Sequence, residues 1–198
     1  MTGDGRTAAR FAYAAGILAN ALLLAFFAFQ FGRPEGGISF GTANDLVGSL
    51  ATALMIPAAF ALSSRLPRRR SIRIVWAVGA AAMAVLTVGG PLLVAGTLAF
   101  EVQGPIMTAA WMALCVWLFS VNRWARLSGA LPMRTARFGE VAGAGPPVGG
   151  VLAGVGFLLP WMLWGQWVFF GAGGVFGAVG FLGIPVWFLL VGRNFAGS

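Results

Sequence analysis

The 198-residue sequence predicts an all-α protein: a polytopic transmembrane bundle of six spans, arranged as three hairpins. Only 9% of the residues are charged and 59% are hydrophobic, whereas a soluble domain is about 25% charged. Several apolar runs also approach the length of about 20 residues that a spanning helix needs. We therefore expect one integral membrane domain over residues 1–198, with short loops and no soluble module.

The distribution of arginine predicts the orientation. Every basic residue is arginine, and the loop 65–73 holds five arginines in nine residues. Such loops stay on the cytoplasmic side of a membrane. Six spans place twelve arginines and two acids inside, and one arginine and three acids outside. Both termini are therefore predicted to be cytoplasmic, in the plasma membrane of a bacterium. A five-span alternative would put the C-terminus outside, and only Arg193 argues directly against it.

The spans are predicted at about residues 11–31, 46–62, 74–98, 105–121, 148–163 and 168–191. The first run, of about 21 residues, exceeds the h-region of a signal peptide, so we expect a retained span. Gly89-Gly90-Pro91 interrupts the third span and predicts a kink, because proline removes a helical hydrogen bond. The inner loop 122–147 is the longest, and we expect a short interfacial helix at 134–141.

Glycine spacing predicts how the last two spans pack. Helices in lipid associate through close packing and polar contacts. Gly173, Gly177 and Gly180 fall within about 60° of one another on a helix, and Gly150 and Gly154 offer a similar surface in the fifth span. We expect packing within the chain, and a homodimer contact remains the alternative.

Two helix faces join a carboxylate to small and polar residues. Asp45, Gly48, Ser49 and Thr52 share one face of the second span by helical spacing. Steps of seven residues likewise place Thr108 and Cys115 below Glu101 in the fourth span. A charged group close to the hydrocarbon is costly, so we expect both faces to point into the bundle.

Polar residues recur in the outer turns, where they would converge on an outward-facing pocket. The alternative is that they cap helix N-termini, which favour Asp and Asn. Asn20, the amide deep in the first span, is expected to bond to a neighbouring helix, with a ligand contact as the alternative. The candidate ligand-binding residues are Asp45, Glu101, Asn44, Gln103, Gln166, Asn20 and Arg33.

The composition argues against several kinds of chemistry. The chain has no histidine and one cysteine, Cys115, so we expect no metal site and no cofactor. It has no lysine for a P-loop and no G-x-S-x-G, HExxH or CxxC motif. The arginines follow the loops, which favours membrane lipids over nucleic acid as partners.

Several short runs carry a resemblance to a group of proteins. They are Ala43-Asn44-Asp45-Leu46-Val47-Gly48-Ser49 with Pro57, Leu66-Pro67-Arg68-Arg69, and Phe100-Glu101-Val102-Gln103-Gly104-Pro105. With these runs the chain resembles small uncharacterised multi-span membrane proteins of bacteria. The resemblance implies a helical membrane bundle and carries no activity or functional residue.

Three functions follow as hypotheses from these residues. The leading one is a membrane protein that binds a lipid, a small hydrophobic ligand or a partner membrane protein through the outward-facing pocket. The second is an intramembrane enzyme acting on a prenyl or other lipid substrate, with Glu101 as acid and Asp45 as its partner. The third is a small transporter, suggested by the break at 89–91 and by Pro160. The sequence leaves open whether the protein is an enzyme.

Overall fold

The computed structural model of the protein describes residues 3–32, 37–97, 99–159 and 164–197. These ranges contain no strand and form six helices, each long and apolar enough to cross a membrane. The all-α, six-span prediction is confirmed. The helices are α1 (Gly3–Gly32), α2 (Gly37–Ser64), α3 (Arg70–Val94), α4 (Phe100–Ser128), α5 (Met133–Leu158) and α6 (Trp164–Ala196).

Helices α4 and α5 extend beyond the predicted spans, and this corrects the prediction of a long inner loop, whereas α3 ends at Val94 rather than at 98. Residues 122–147 form no such loop, because α4 continues to Ser128 and α5 begins at Met133. Gly129 ends α4 with φ of +71°, a left-handed conformation that glycine adopts without strain. The interfacial helix expected at 134–141 is the start of α5, which continues through Pro146 and Pro147. Helix α3 likewise runs unbroken through residues 89–91.

Close contact with α4 explains why the first half of α5 is a packed helix rather than a loop. A Cβ added at Gly139 would collide with the side chain of Asn122, and one at Gly143 would lie 2.7 Å from the Cys115 carbonyl oxygen. These glycines bring the α5 backbone against α4, and such packing is the main source of helix association in lipid.

The six helices form a closed ring. Each helix packs against its neighbours in the chain, and α1 also packs against α6. At one end, the Arg65 guanidinium lies 4.3 Å from the centre of the Phe195 ring. A Cβ at Gly5 would lie 3.7 Å from the Phe195 carbonyl oxygen. The start of α1, the end of α6 and the α2–α3 hairpin therefore meet at one end of the ring, which we call the arginine end.

The α5–α6 contact uses glycine, as predicted, but only some of the predicted residues take part. A Cβ at Gly173 would lie 2.8 Å from the Gly149 carbonyl oxygen, and one at Gly180 would collide with Pro146. By contrast, a Cβ at Gly154 would meet nothing within 4 Å. On α5 the contact is made by Gly145, Gly149 and Gly156 rather than Gly150 and Gly154, because Pro146 and Gly149 set which face of α5 meets α6.

The buried apolar core fills the half of the ring nearest the arginine end. It is formed mainly by the first half of α1, the second halves of α2, α4 and α6, and residues along α3, and α5 adds Ala136 and Ala142. Its largest fully buried side chains are Trp117, Trp187, Phe188, Phe195, Leu62, Met83, Leu114, Leu118, Ile184 and Val191. We call the other half of the ring the outer half.

Candidate functional site

The outer half of the ring contains a partly open cavity of about 560 Å³. Residues of α1, α2, α3, α4 and α6 line it, whereas α5 contributes none of the lining. Most of the lining is apolar. Near the middle of the bundle, the Trp111 and Phe181 rings lie 5.1 Å apart, centre to centre, and join α4 to α6. Ile184 and Pro185 line the cavity where α6 enters the buried core.

The polar wall of the cavity is the predicted face of α2. Asp45, Gly48, Ser49 and Thr52 all line the cavity. The Ser49 hydroxyl donates a hydrogen bond to the Leu86 carbonyl oxygen at 3.3 Å. The Thr52 hydroxyl donates to the Gly48 carbonyl oxygen at 2.9 Å. Both hydroxyl protons are thus used by the helices, so these oxygens can only accept from a ligand, and the Asp45 carboxylate is the strongest acceptor in the described lining.

Asp45 is also the charged residue of the cavity. Among the described residues that line it, no other side chain carries a formal charge. The capping interpretation of Asp45 is wrong, because α2 begins at Gly37 and Asp45 lies eight residues further along. A carboxylate inside a helix rather than at its end gains little from the helix dipole. Its position therefore needs an explanation other than capping.

Close helix contact holds this wall in place. A Cβ at Gly90 would collide with the Asp45 carbonyl oxygen and would lie 2.5 Å from the Ser49 Oγ atom. Only glycine therefore permits this approach of α3 to α2. A Cβ at Gly48, in contrast, would make an ordinary contact of 3.7 Å with Leu22. Gly48 thus widens the cavity, whereas Gly90 closes the gap between two helices.

The face predicted below Glu101 does not point into the bundle. Glu101 lies in the first turn of α4 and is exposed, as is Thr108, while Cys115 is fully buried. Steps of seven residues drift by about 20° per step on a straight helix, and the core-facing side of α4 is instead marked by Ala110, Leu114 and Trp117. Glu101 does not line the cavity with Asp45.

Three further candidates, Gln103, Gln166 and Asn20, are not part of the cavity lining. Gln103 is buried and donates to the Gly89 carbonyl oxygen at 3.4 Å, which ties α4 to α3. Gln166 is buried in the first turn of α6. Asn20 donates to the Gly16 carbonyl oxygen of its own helix at 2.7 Å, which corrects the expected bond to a neighbouring helix. Arg33 and the Asn44 side chain lie outside the described residues.

One buried polar residue was not singled out from the sequence. Asn122, which is 0% exposed, accepts a hydrogen bond of 2.9 Å from the Trp187 indole nitrogen and donates to the Leu118 carbonyl oxygen at 2.8 Å. The amide joins α4 to α6 within the core. In the sequence Asn122 directly follows an apolar run, and we interpreted it as the start of a loop. Its position beside that run was the only feature that could have indicated a buried amide.

The described residues contain no group of three or more His, Cys, Asp or Glu side chains arranged to hold a metal ion. Comparison with protein-family models, with curated proteins and with solved structures gives no match for this chain. The fold therefore defines the class: the chain is a multi-pass membrane protein of six apolar helices.

Proposed function

We propose that this protein binds a small hydrophobic molecule in the outer cavity and that Asp45 holds the polar end of that molecule. The proposal rests on one observation: a largely apolar cavity with a single charged side chain in its described lining. Small-molecule sites combine an apolar lining with a few well-placed polar groups that fix the orientation of the ligand.

The size of the cavity supports a drug-sized or lipid-fragment ligand. Its volume of about 560 Å³ falls within the range of about 300–1,000 Å³ that ligand pockets occupy. An apolar cavity of about 150 Å³ already holds benzene. The outer cavity therefore has room for a ring or short chain together with a polar group.

The chemistry of the wall favours a ligand that donates hydrogen bonds. An ionised carboxylate is only an acceptor, and Ser49 and Thr52 already donate to backbone carbonyl groups. An ammonium group would add charge attraction, which is stronger where water is excluded. We therefore propose a hydrophobic amine as the preferred class of ligand. The position of Glu101 outside the cavity supports binding rather than chemistry by a pair of carboxylates.

The proposal places the arginine end in the cytoplasm of a bacterium, because positively charged loops are retained on that side of the plasma membrane. The cavity then lies in the outward-facing half. Single cysteines in place of Ser71 and Ala99, both exposed, test the orientation in a Cys115→Ala background. We expect a membrane-impermeant maleimide to label intact cells at position 99 only. Labelling at position 71 only would show that the protein has the opposite orientation and would contradict this part of the proposal.

Bromobenzylamine and its neutral analogue bromobenzyl alcohol are suitable probes of binding. Bromine quenches the fluorescence of a nearby tryptophan, and Trp111 lines the cavity. Binding at this site is measured as the difference in quenching between the unmodified protein and a Trp111→Phe variant, because the variant lacks the tryptophan of the cavity. We expect both probes to quench Trp111 and the amine to bind more tightly.

Asp45→Asn keeps the size of the side chain and removes its charge. A hydrogen bond to a charged group contributes about 1.5–3 kcal/mol, so we expect the affinity for the amine to fall by about tenfold or more. The affinity for the alcohol should change much less. Glu101→Gln is the matched control, because it removes the same charge from an exposed residue outside the cavity. An equal loss in both variants, or unchanged amine binding in Asp45→Asn, would contradict the proposal.

A further inference from the structure

A second cavity lies at the opposite end of α2, where the α2–α3 hairpin turns. This groove of about 300 Å³ is lined by the side chains of Phe60, Ser63, Arg68, Arg73 and Trp76, among others. We call it the hairpin groove. It combines two guanidinium groups with an aromatic wall, and it shares no lining residue with the outer cavity.

Arg68 and Arg73 give the groove a positive charge that the described residues do not neutralise. Neither arginine pairs with an acidic side chain in the described part of the chain, whereas Arg126 pairs there with Glu140 at 2.7 Å. The neighbouring Arg69 points elsewhere, since its guanidinium lies 5.5 Å from the centre of the Trp124 ring. An anion in the groove would therefore meet Arg68 and Arg73.

Phe60 and Trp76 give the groove an apolar wall on the lipid-facing side of the helix bundle. The two rings pack edge to face with their centres 6.0 Å apart. Phe60 is 61% exposed and lies in a membrane-spanning helix. Its ring therefore faces the lipid and is available to an acyl chain. Aromatic side chains are enriched at the level of lipid headgroups, which places Trp76 at the depth where headgroup and acyl chain join.

We propose that the hairpin groove binds an anionic phospholipid of the leaflet at the arginine end. Arg68 and Arg73 hold the headgroup phosphate, because guanidinium groups match phosphate oxygens in geometry and charge. The acyl chains lie along Phe60 and Trp76. This inference rests on the hairpin alone and stands or falls independently of the proposed ligand of the outer cavity.

Native mass spectrometry of the detergent-purified protein, titrated with phosphatidylglycerol, measures the binding. The test variant is Arg68→Gln with Arg73→Gln, and the control is Arg123→Gln with Arg137→Gln. All four arginines are exposed, and both pairs lie at the arginine end, so the variants lose the same charge. We expect binding in the test variant to weaken by about tenfold or more, because charge-assisted hydrogen bonds to the phosphate are lost. The control pair does not line the groove, so it contributes only screened long-range attraction, and its binding should stay within about twofold of the unmodified protein.

Two further measurements separate a lipid from a soluble phosphate. Phe60→Ala should weaken the binding of phosphatidylglycerol, and phosphatidylcholine should bind less tightly than phosphatidylglycerol in the unmodified protein. Inorganic phosphate at millimolar concentration should not displace the lipid. Equal weakening in the two arginine pairs would indicate a diffuse basic surface and overturn the assignment. Displacement by inorganic phosphate, with no effect of Phe60→Ala, would assign the groove to a soluble anion instead.

Discussion

Replacing Gly48 with leucine tests directly whether the outer cavity is the binding site. Gly48 lies in the middle of α2 and lines the cavity, and a Cβ there would make only one ordinary contact, at 3.7 Å from Leu22. The Cβ therefore has room, and because Gly48 lines the cavity we expect the rest of the leucine side chain to extend into it. We expect the leucine to occupy volume that the ring of a bound bromobenzylamine would need.

General values for the burial of apolar groups and for glycine in helices give the size of the two expected effects. If the leucine removes ligand contacts equal to two methylene groups, the binding free energy of the probe falls by about 1.6 kcal/mol. This corresponds to an affinity that is lower by somewhat more than about tenfold. Folding stability should stay equal or rise, because glycine within a helix is less stable than alanine by about 0.5–1 kcal/mol. The variant should thus bind less ligand without being less stable.

Gly174→Leu is the matched control. A Cβ at Gly174 would meet nothing within 4 Å, and Gly174 does not line the cavity. It should gain the same helical stability and keep the affinity of the unmodified protein. Quenching of Trp111 measures binding, and thermal unfolding followed by circular dichroism measures stability. Unchanged probe affinity in Gly48→Leu, or an equal loss in Gly174→Leu, would refute the assignment of the cavity as the site.

Two further substitutions test the packing that builds the protein. Gly90→Ala should lower the free energy of unfolding by about 1–3 kcal/mol, because its Cβ would collide with a carbonyl oxygen of α2 that cannot rotate away; a gain in thermal stability would contradict the close α2–α3 contact. Asn122→Ala should cost about 1–3 kcal/mol, because it leaves the buried Trp187 indole N–H without its acceptor. In a double-mutant cycle, Asn122→Ala should cost much less stability when Trp187 is already phenylalanine. Strictly additive losses of stability would show that the hydrogen bond contributes nothing.

The sequence predicted the fold class well because lipid imposes a simple rule. Backbone polar groups in the hydrocarbon must bond within one segment, so apolar runs of sufficient length become helices. The rule is weakest at the ends of the runs. It did not show that α5 begins at Met133, because Arg134, Arg137 and Glu140 suggested a separate short helix within an inner loop. Their helix is stabilised by glycine contacts with α4 that no local pattern reveals.

The candidate site was predicted in part, and the reason lies in the difference between local and long-range information. The face of Asp45, Gly48, Ser49 and Thr52 follows from spacing within one helix, and all four residues line the cavity. The predicted convergence of Asp45 with Glu101 and Gln166 is wrong, because it depended on how different helices rotate about their axes. That rotation depends on which side chains pack together, as Gln103 does against Gly89.

The sequence by itself determined that the chain is a bundle of six apolar helices with most of its arginines near one end of the bundle. Composition and run length suffice for this, because the transfer of charged groups into lipid is so unfavourable. Only the tertiary structure decided that the ring closes by packing α1 against α6, that the core fills the arginine end, and that a cavity remains in the outer half. These features depend on the fit of distant side chains, such as Trp187 against Trp117 and Asn122, and packing of that kind leaves no periodic signal along the chain.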